Sequence, residues 1–204
     1  ARPGTIVGSP LTGSRLASFL APAVEQLASV LEERGRLAEA AQEMSRAAAL
    51  YESADDARAL WRPLNALGRL YVRLGDKARA GDLLAAAHQA ASAAQSSAGL
   101  TATAINRAAL APPEEALRLL DEAAEIAAEA GDALSRARIA YNKGSIALSL
   151  GRIADGQKAL DEAVRVASQV GWNDGIALAH RALAAANLVS TVAGVSTIAG
   201  AKRS

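Results

Sequence analysis

The chain has 204 residues, 51% apolar but only 3% aromatic, with a formal net charge of +1 and no cysteine. Disulfides, thiolate metal sites and cysteine nucleophiles are thereby excluded. The near-neutral balance gives no argument for nucleic acid as a partner, since that calls for a clustered, strongly basic surface. Alanine supplies most of the apolar count; it has the best helix propensity and lets helix axes approach toward the lower end of about 8–10 Å.

Residues 1–14 hold Pro3, Gly4, Gly8, Pro10 and Gly13 and predict a flexible lead-in. No apolar h-region occurs there, so no signal peptide is expected, and a cytoplasmic location follows as the expectation. Helical periodicity starts near Ser14 and hardly stops. Turns are predicted at Arg34-Gly35-Arg36, Ser53 to Asp56, Leu74-Gly75-Asp76, Ser96-Ser97-Ala98-Gly99, Ala111-Pro112-Pro113, Ala130-Gly131-Asp132, Leu150-Gly151-Arg152 and Gly171 to Asp174. Each carries glycine, proline or a helix-capping residue. No stretch alternates convincingly enough to be a strand. The pattern predicts an all-α chain of about nine helices.

The same pattern recurs every 36 to 40 residues. Segments beginning at Gly35, Gly75, Ala111 and Gly151 stack, and each is followed at a fixed distance by an apolar pair: Met44 and Ala47, Leu84 and Ala87, Leu120 and Ala123, Leu160 and Ala163. Such a period marks a solenoid, whose units bury their apolar faces by stacking on one another. The approximate repeats are 15–54, 55–97, 98–131 and 132–171, with a closing helix from 172. Asn106-Arg107 aligns with Asn142-Lys143 at a spacing of 36, but Asp121-Glu122 aligns with Asp161-Glu162 at 40. Repeat three has therefore lost about one helical turn, near Pro112-Pro113, with proline suited to open the next helix.

The clearest copy is Leu64-Asn65-Ala66-Leu67-Gly68-Arg69-Leu70-Tyr71-Val72-Arg73-Leu74-Gly75, followed by Ala80, Leu84 and Ala87. It resembles the tetratricopeptide repeat in its longer variant. Copy four keeps Gly144, Gly151, Leu160 and Ala163 but has Ala147 at the tyrosine position and Gly156 at the alanine position. The resemblance implies a right-handed α-solenoid of antiparallel helix pairs, the first helix of each pair lining a groove. It also implies a non-enzymatic scaffold or adaptor that holds a protein or peptide partner.

No catalytic constellation is present: no phosphate-binding glycine loop with lysine, no dinucleotide fingerprint after a strand and no His-Glu-x-x-His. His88 and His180 are isolated, and no metal or cofactor is expected. Placed on the family pattern, the groove candidates are Arg62, Asn65, Arg69 and Arg73, then Asn106, then Arg138, Tyr141, Asn142 and Ser145. Arginine and asparagine hold carboxylates and peptide backbone by directed hydrogen bonds, so an acidic peptide or protein surface is the expected ligand. The competing explanation is that these charges complement helix dipoles and keep the surface hydrated.

Residues 182–201 carry no charge. Twenty residues could span a membrane, against which stand Asn187, Ser190, Thr191, Ser196 and Thr197. On a helix, Leu188, Val189, Val192, Val195 and Ile198 form one apolar stripe. It can cap the solenoid, contact another subunit or serve as an anchor. Two further readings of the whole chain stay open beside the adaptor. One is a ligand-sensing segment of a larger bacterial signalling or transcription regulator, which the resemblance also implies. The other is a structural subunit of a large assembly, docked through the apolar C-terminus.

Overall fold

The computed structural model describes the backbone of residues 13–201 and the side chains of residues 13–188. Most of the predicted lead-in, together with the side chains of Val189, Val192, Val195 and Ile198, lies outside the described residues. Among those described there are nine α-helices and no strand: α1 (Gly13–Glu33), α2 (Leu37–Ser53), α3 (Trp61–Leu74), α4 (Lys77–Ala93), α5 (Ser97–Ala108), α6 (Pro113–Glu129), α7 (Ala133–Ser149), α8 (Ile153–Val170) and α9 (Asn173–Ala201). The chain divides into two compact units, Ala1–Gly99 and Leu100–Ser204.

In the first unit α1 packs on α2 and α3 on α4, and α2 also packs on α3. Its main core is Val24, Ala28 and Leu31 of α1, Ala40, Met44 and Ala47 of α2, and Leu67 and Leu70 of α3. The α3–α4 contact is close because residue 68 is glycine: a Cβ there would sit 2.5 Å from Leu84 Cγ. Leu84 and Ala80 are fully buried as a result.

In the second unit α7 packs on α8, and α9 closes the pair through Ala179, Ala182 and Leu183 against Leu160, Ala163 and Tyr141. A second cluster joins α5, α6 and α7 through Ile105, Leu119, Leu120, Ala123 and Ile139. Copy four departs from the repeat pattern at Ala147 and at Gly156. Gly156 replaces the alanine, and the side chain of Leu148 lies 2.5 Å from where a Cβ on residue 156 would stand. Glycine at 156 makes room for Leu148 there.

Five turns place glycine in the left-handed region, at Gly35, Gly75, Gly131, Gly151 and Gly171. Asp55 and Gln95 adopt the same conformation with φ of 57° and 51°. At both, the chain closes with the same bond as at Gly75: Asp56 N–H donates to Tyr51 O, Ser96 N–H to Ala91 O and Asp76 N–H to Tyr71 O. This is the six-to-one bond of a helix C-terminus, made at Asp55 and Gln95 without glycine.

Two boundaries differ from the sequence expectation. The turn expected at Ser96–Gly99 ends at Ser96, whose Oγ accepts from Gly99 N–H and so caps α5. Gly99 lies inside that helix, needed for close approach, because a Cβ there would stand 2.8 Å from Ala91 Cβ and 2.9 Å from Trp61 Cδ2. The turn expected at Ser53 to Asp56 runs on to Leu60, so that Arg58 precedes α3. The shortening of repeat three is visible directly: α5 has 12 residues against 17 in α7, and Pro112 caps α6 with Pro113 in its first turn.

Candidate functional site

Apart from Asn106 on α5, the candidate residues fall on equivalent faces of α3 and α7, and the two faces meet different neighbours. On α3, Arg69 forms a bidentate pair with Glu32 of α1, Nη1 to Oε1 at 2.7 Å and Nη2 to Oε2 at 2.9 Å. Arg73 Nη1 donates to the same Oε1 at 2.7 Å. One mostly buried carboxylate therefore holds two guanidinium groups, beside a cavity of about 450 Å³ lined by Ser29, Glu32, Glu33, Arg69 and Arg73.

Arg62 is engaged too. Its Nη2 donates to the Tyr51 hydroxyl at 2.8 Å, and its guanidinium carbon stands 5.4 Å from the centre of that ring. Its Nε lies 3.5 Å from Glu25 Oε1, a buried oxygen that forms no other ion pair among the described residues. Burial pushes the Tyr51 hydroxyl above its ordinary pKa of 10.0, against the opposing pull of the Arg62 bond. Asn65 is half-buried on the same helix.

On α7 the face is open. Asn142 and Ser145 line a cavity of about 230 Å³ with Ile105, Ala108, Pro113 and Ile146. This is the place where repeat three lost its turn: α5 stops at Ala108, leaving Ile146 half-buried. Ser145 Oγ donates to Tyr141 O at 3.0 Å. The Asn142 amide makes no hydrogen bond among the described residues. Tyr141 packs its ring against Leu160 and Ala163.

Arg138, half-buried on α7, lies near Asp132 at the start of that helix. Asp132 Oδ1 accepts from Ser135 N–H at 3.0 Å. Its bonds to the Ser135 side chain and backbone hold the carboxyl below its ordinary value of 3.8, and the charge of Arg138 adds to this. Asn106 is half-buried on α5.

The structure also has a cleft that the sequence reading missed. Arg136, Ile139, Ala140 and Lys143, on the opposite side of α7, line a cavity of about 340 Å³ with Ala124 of α6 and Asp155, Lys158, Ala159 and Glu162 of α8. The spacing 136, 139/140, 143 is a helical stripe, the one signal in the sequence that could have marked it. Lys143 is paired with Asp121 of α6. Arg136 stands 4.0 Å from Glu162, whose carboxylate is held low chiefly by its bonds to Arg165.

No family model matches the chain, and no curated protein sequence matches it. Solved structures do. A signal-transduction ATPase with numerous domains from Pyrococcus horikoshii, which bears a tetratricopeptide repeat sensor, superposes with a TM-score of 0.72 at 18% identity, over 88% of this chain and 28% of that one. The chain thus spans little more than a quarter of that protein's length. The chain has a tetratricopeptide-repeat fold. The kinesin light chain tetratricopeptide-like repeats of Podosopora anserina agree, with a TM-score of 0.63 at 18% identity over 94% of this chain and 98% of that one. So does the Rap protein complexed with competence and sporulation factor, at 0.54 and 14% identity over 82% and 52%. Among the described residues, no helix of this tetratricopeptide-like chain is long and apolar enough to cross a membrane.

Proposed function

We propose that the chain is a non-catalytic protein-interaction scaffold, and that its second unit takes an extended segment of a partner protein on the Asn142 face of α7. One observation carries this reading: an apolar cavity of about 230 Å³ with an unpartnered side-chain amide at its edge. The cavity accepts one apolar side chain, and the amide supplies a donor and an acceptor for the peptide bond beside it. A preformed site lowers the ordering cost of binding such a segment. An acidic segment laid on α3 would have to displace Glu32 from Arg69 and Arg73, which lowers the gain from the arginines expected to bind it.

A displayed library of random peptides, selected on the whole chain, tests this reading. Selected peptides should share an apolar anchor and lose at least roughly tenfold in affinity on Asn142→Ala, the worth of one good hydrogen-bonding side chain. Acidic consensus peptides that ignore Asn142→Ala and depend on Arg62, Arg69 and Arg73 would replace it with binding on α3.

A second reading is favoured by the likeness to a protein with a tetratricopeptide repeat sensor, of which this chain covers 28%. Here the same face is the sensor segment of a larger signalling protein. The gene decides: an open reading frame continuing into an effector domain supports it, and a frame confined to these residues removes it.

A further inference from the structure

The first helix carries two apolar stripes, and only one of them is used. Ala17, Ala21, Val24, Ala28 and Leu31 are buried. One residue behind each lies a second row: Leu16, Leu20, Ala23, Leu27 and Val30, with Phe19 alongside. Phe19 is the sole phenylalanine of the chain and is 72% exposed. Of the nine large apolar side chains exposed among the described residues, five belong to this row and its neighbour Phe19. A contiguous exposed patch of this kind marks an interaction surface.

The geometry says what shape of partner fits. The steps 4, 3, 4 and 3 between residues 16, 20, 23, 27 and 30 are the seam spacing of a two-helix coiled coil. At about 100° per residue, the stripe is turned about 100° from the buried one and lies on the flank away from Glu25 and Glu32, which point toward α3. The α3 neighbour therefore leaves it uncovered.

We infer that this face binds a second copy of the chain, α1 against α1 in antiparallel register about Ala23. The charges at the two ends of the helix select this occupant. Arg15 and Glu33 are exposed and project from one flank, and neither has a partner among the described residues. In the antiparallel pair Leu16 faces Val30, Leu20 faces Leu27, and Ala23 meets its own copy at the two-fold axis. Arg15 of each chain then stands within about two residues of Glu33 of the other, giving two symmetric ion pairs. A parallel pair would put this flank of the two copies on opposite sides of the seam and make neither ion pair. The rest of that flank, Pro22, Gln26 and Ser29, is uncharged.

Sedimentation equilibrium of the whole chain over a wide concentration range tests this. The chain should dimerise, and Leu20→Glu/Leu27→Glu should be monomeric while keeping its helical circular dichroism, since both positions are exposed. Arg15→Glu alone and Glu33→Arg alone should each weaken the dimer roughly fivefold, and the double reversal should restore it. Leu188→Glu, exposed on α9, should leave it unchanged. A monomeric wild type overturns the proposal, whatever else covers the stripe. Loss of the dimer with Leu188→Glu, or failure of the double reversal to restore it, overturns the assignment to α1.

Discussion

The helix pairs α3–α4 and α7–α8 occupy equivalent places in the repeat and hold the same framework glycine, Gly68 and Gly144, against the same leucine, Leu84 and Leu160. They differ in what surrounds that contact. In α3–α4 the tyrosine and alanine of the repeat are kept, and Arg79 donates to the Tyr71 hydroxyl at 2.9 Å. In α7–α8 alanine stands at the tyrosine position, Gly156 faces Gly144, and Leu148 packs against Gly156. The exposed faces diverge in the same way: acids of α1 hold the arginines of α3, while Asn142 of α7 borders an open cavity. A repeat position therefore fixes where a side chain points, and the neighbouring repeat fixes whether it is available.

The packing half of this comparison is broken most severely by Gly156→Val. The added carbons meet Leu148 and stand near Gly144 O, so urea unfolding should show a loss of about 3 kcal/mol. Ala80→Gly at the equivalent place removes one methyl group and should cost about 1 kcal/mol. Equal losses would mean that the two crossings are packed alike.

The charge half is tested by Glu32→Ala. Two half-exposed arginines lose their shared partner, with an expected loss of about 1.5 kcal/mol that shrinks in high salt. The same substitution should strengthen binding of an acidic peptide to α3, as fluorescence anisotropy would read.

Asp132→Ala should cost about 1 kcal/mol at neutral pH by removing the cap of α7. The Asp132 carboxyl lies below its ordinary 3.8 in the folded chain, so its contribution is complete above that value and is lost as pH falls through the folded one. The gap between wild type and Asp132→Ala should therefore close in acid, whereas Asp132→Asn should keep a cap without that pH dependence.

The smallest effect is expected at Gln95, held at a φ of 51°. Gln95→Gly should raise stability by about 0.7 kcal/mol, visible as a small increase in urea midpoint. Asp55→Gly should gain less, because aspartate tolerates this conformation better.

The repeat frame was legible because its residues act within one hairpin. Gly68 meets Leu84 and the Ala80 carbonyl, and Gly75 makes the turn between the two helices, so their spacing alone implies the contact. The lost turn in repeat three was legible for the same reason, as a break in a regular spacing. Glu25 and Glu32 were not, since their partners lie 37 or more residues away and nothing local distinguishes them from solvated acids. The cavity beside Asn142 depends on how α5, α6 and α7 pack together, which spacing does not give. Ser96 and Gly99 misled because glycine signals a turn and a close helix contact alike.

The central claim is that the partner enters beside Asn142, where repeat three is short. Isoleucine methyl resonances report it directly, because Ile105 and Ile146 line that cavity and Ile139 lines the cleft on the other side of α7. Adding a selected peptide to the methyl-labelled chain should shift Ile105 and Ile146 and leave Ile139 in place. Shifts confined to Ile139, or none at any of the three despite measured binding, would contradict the account.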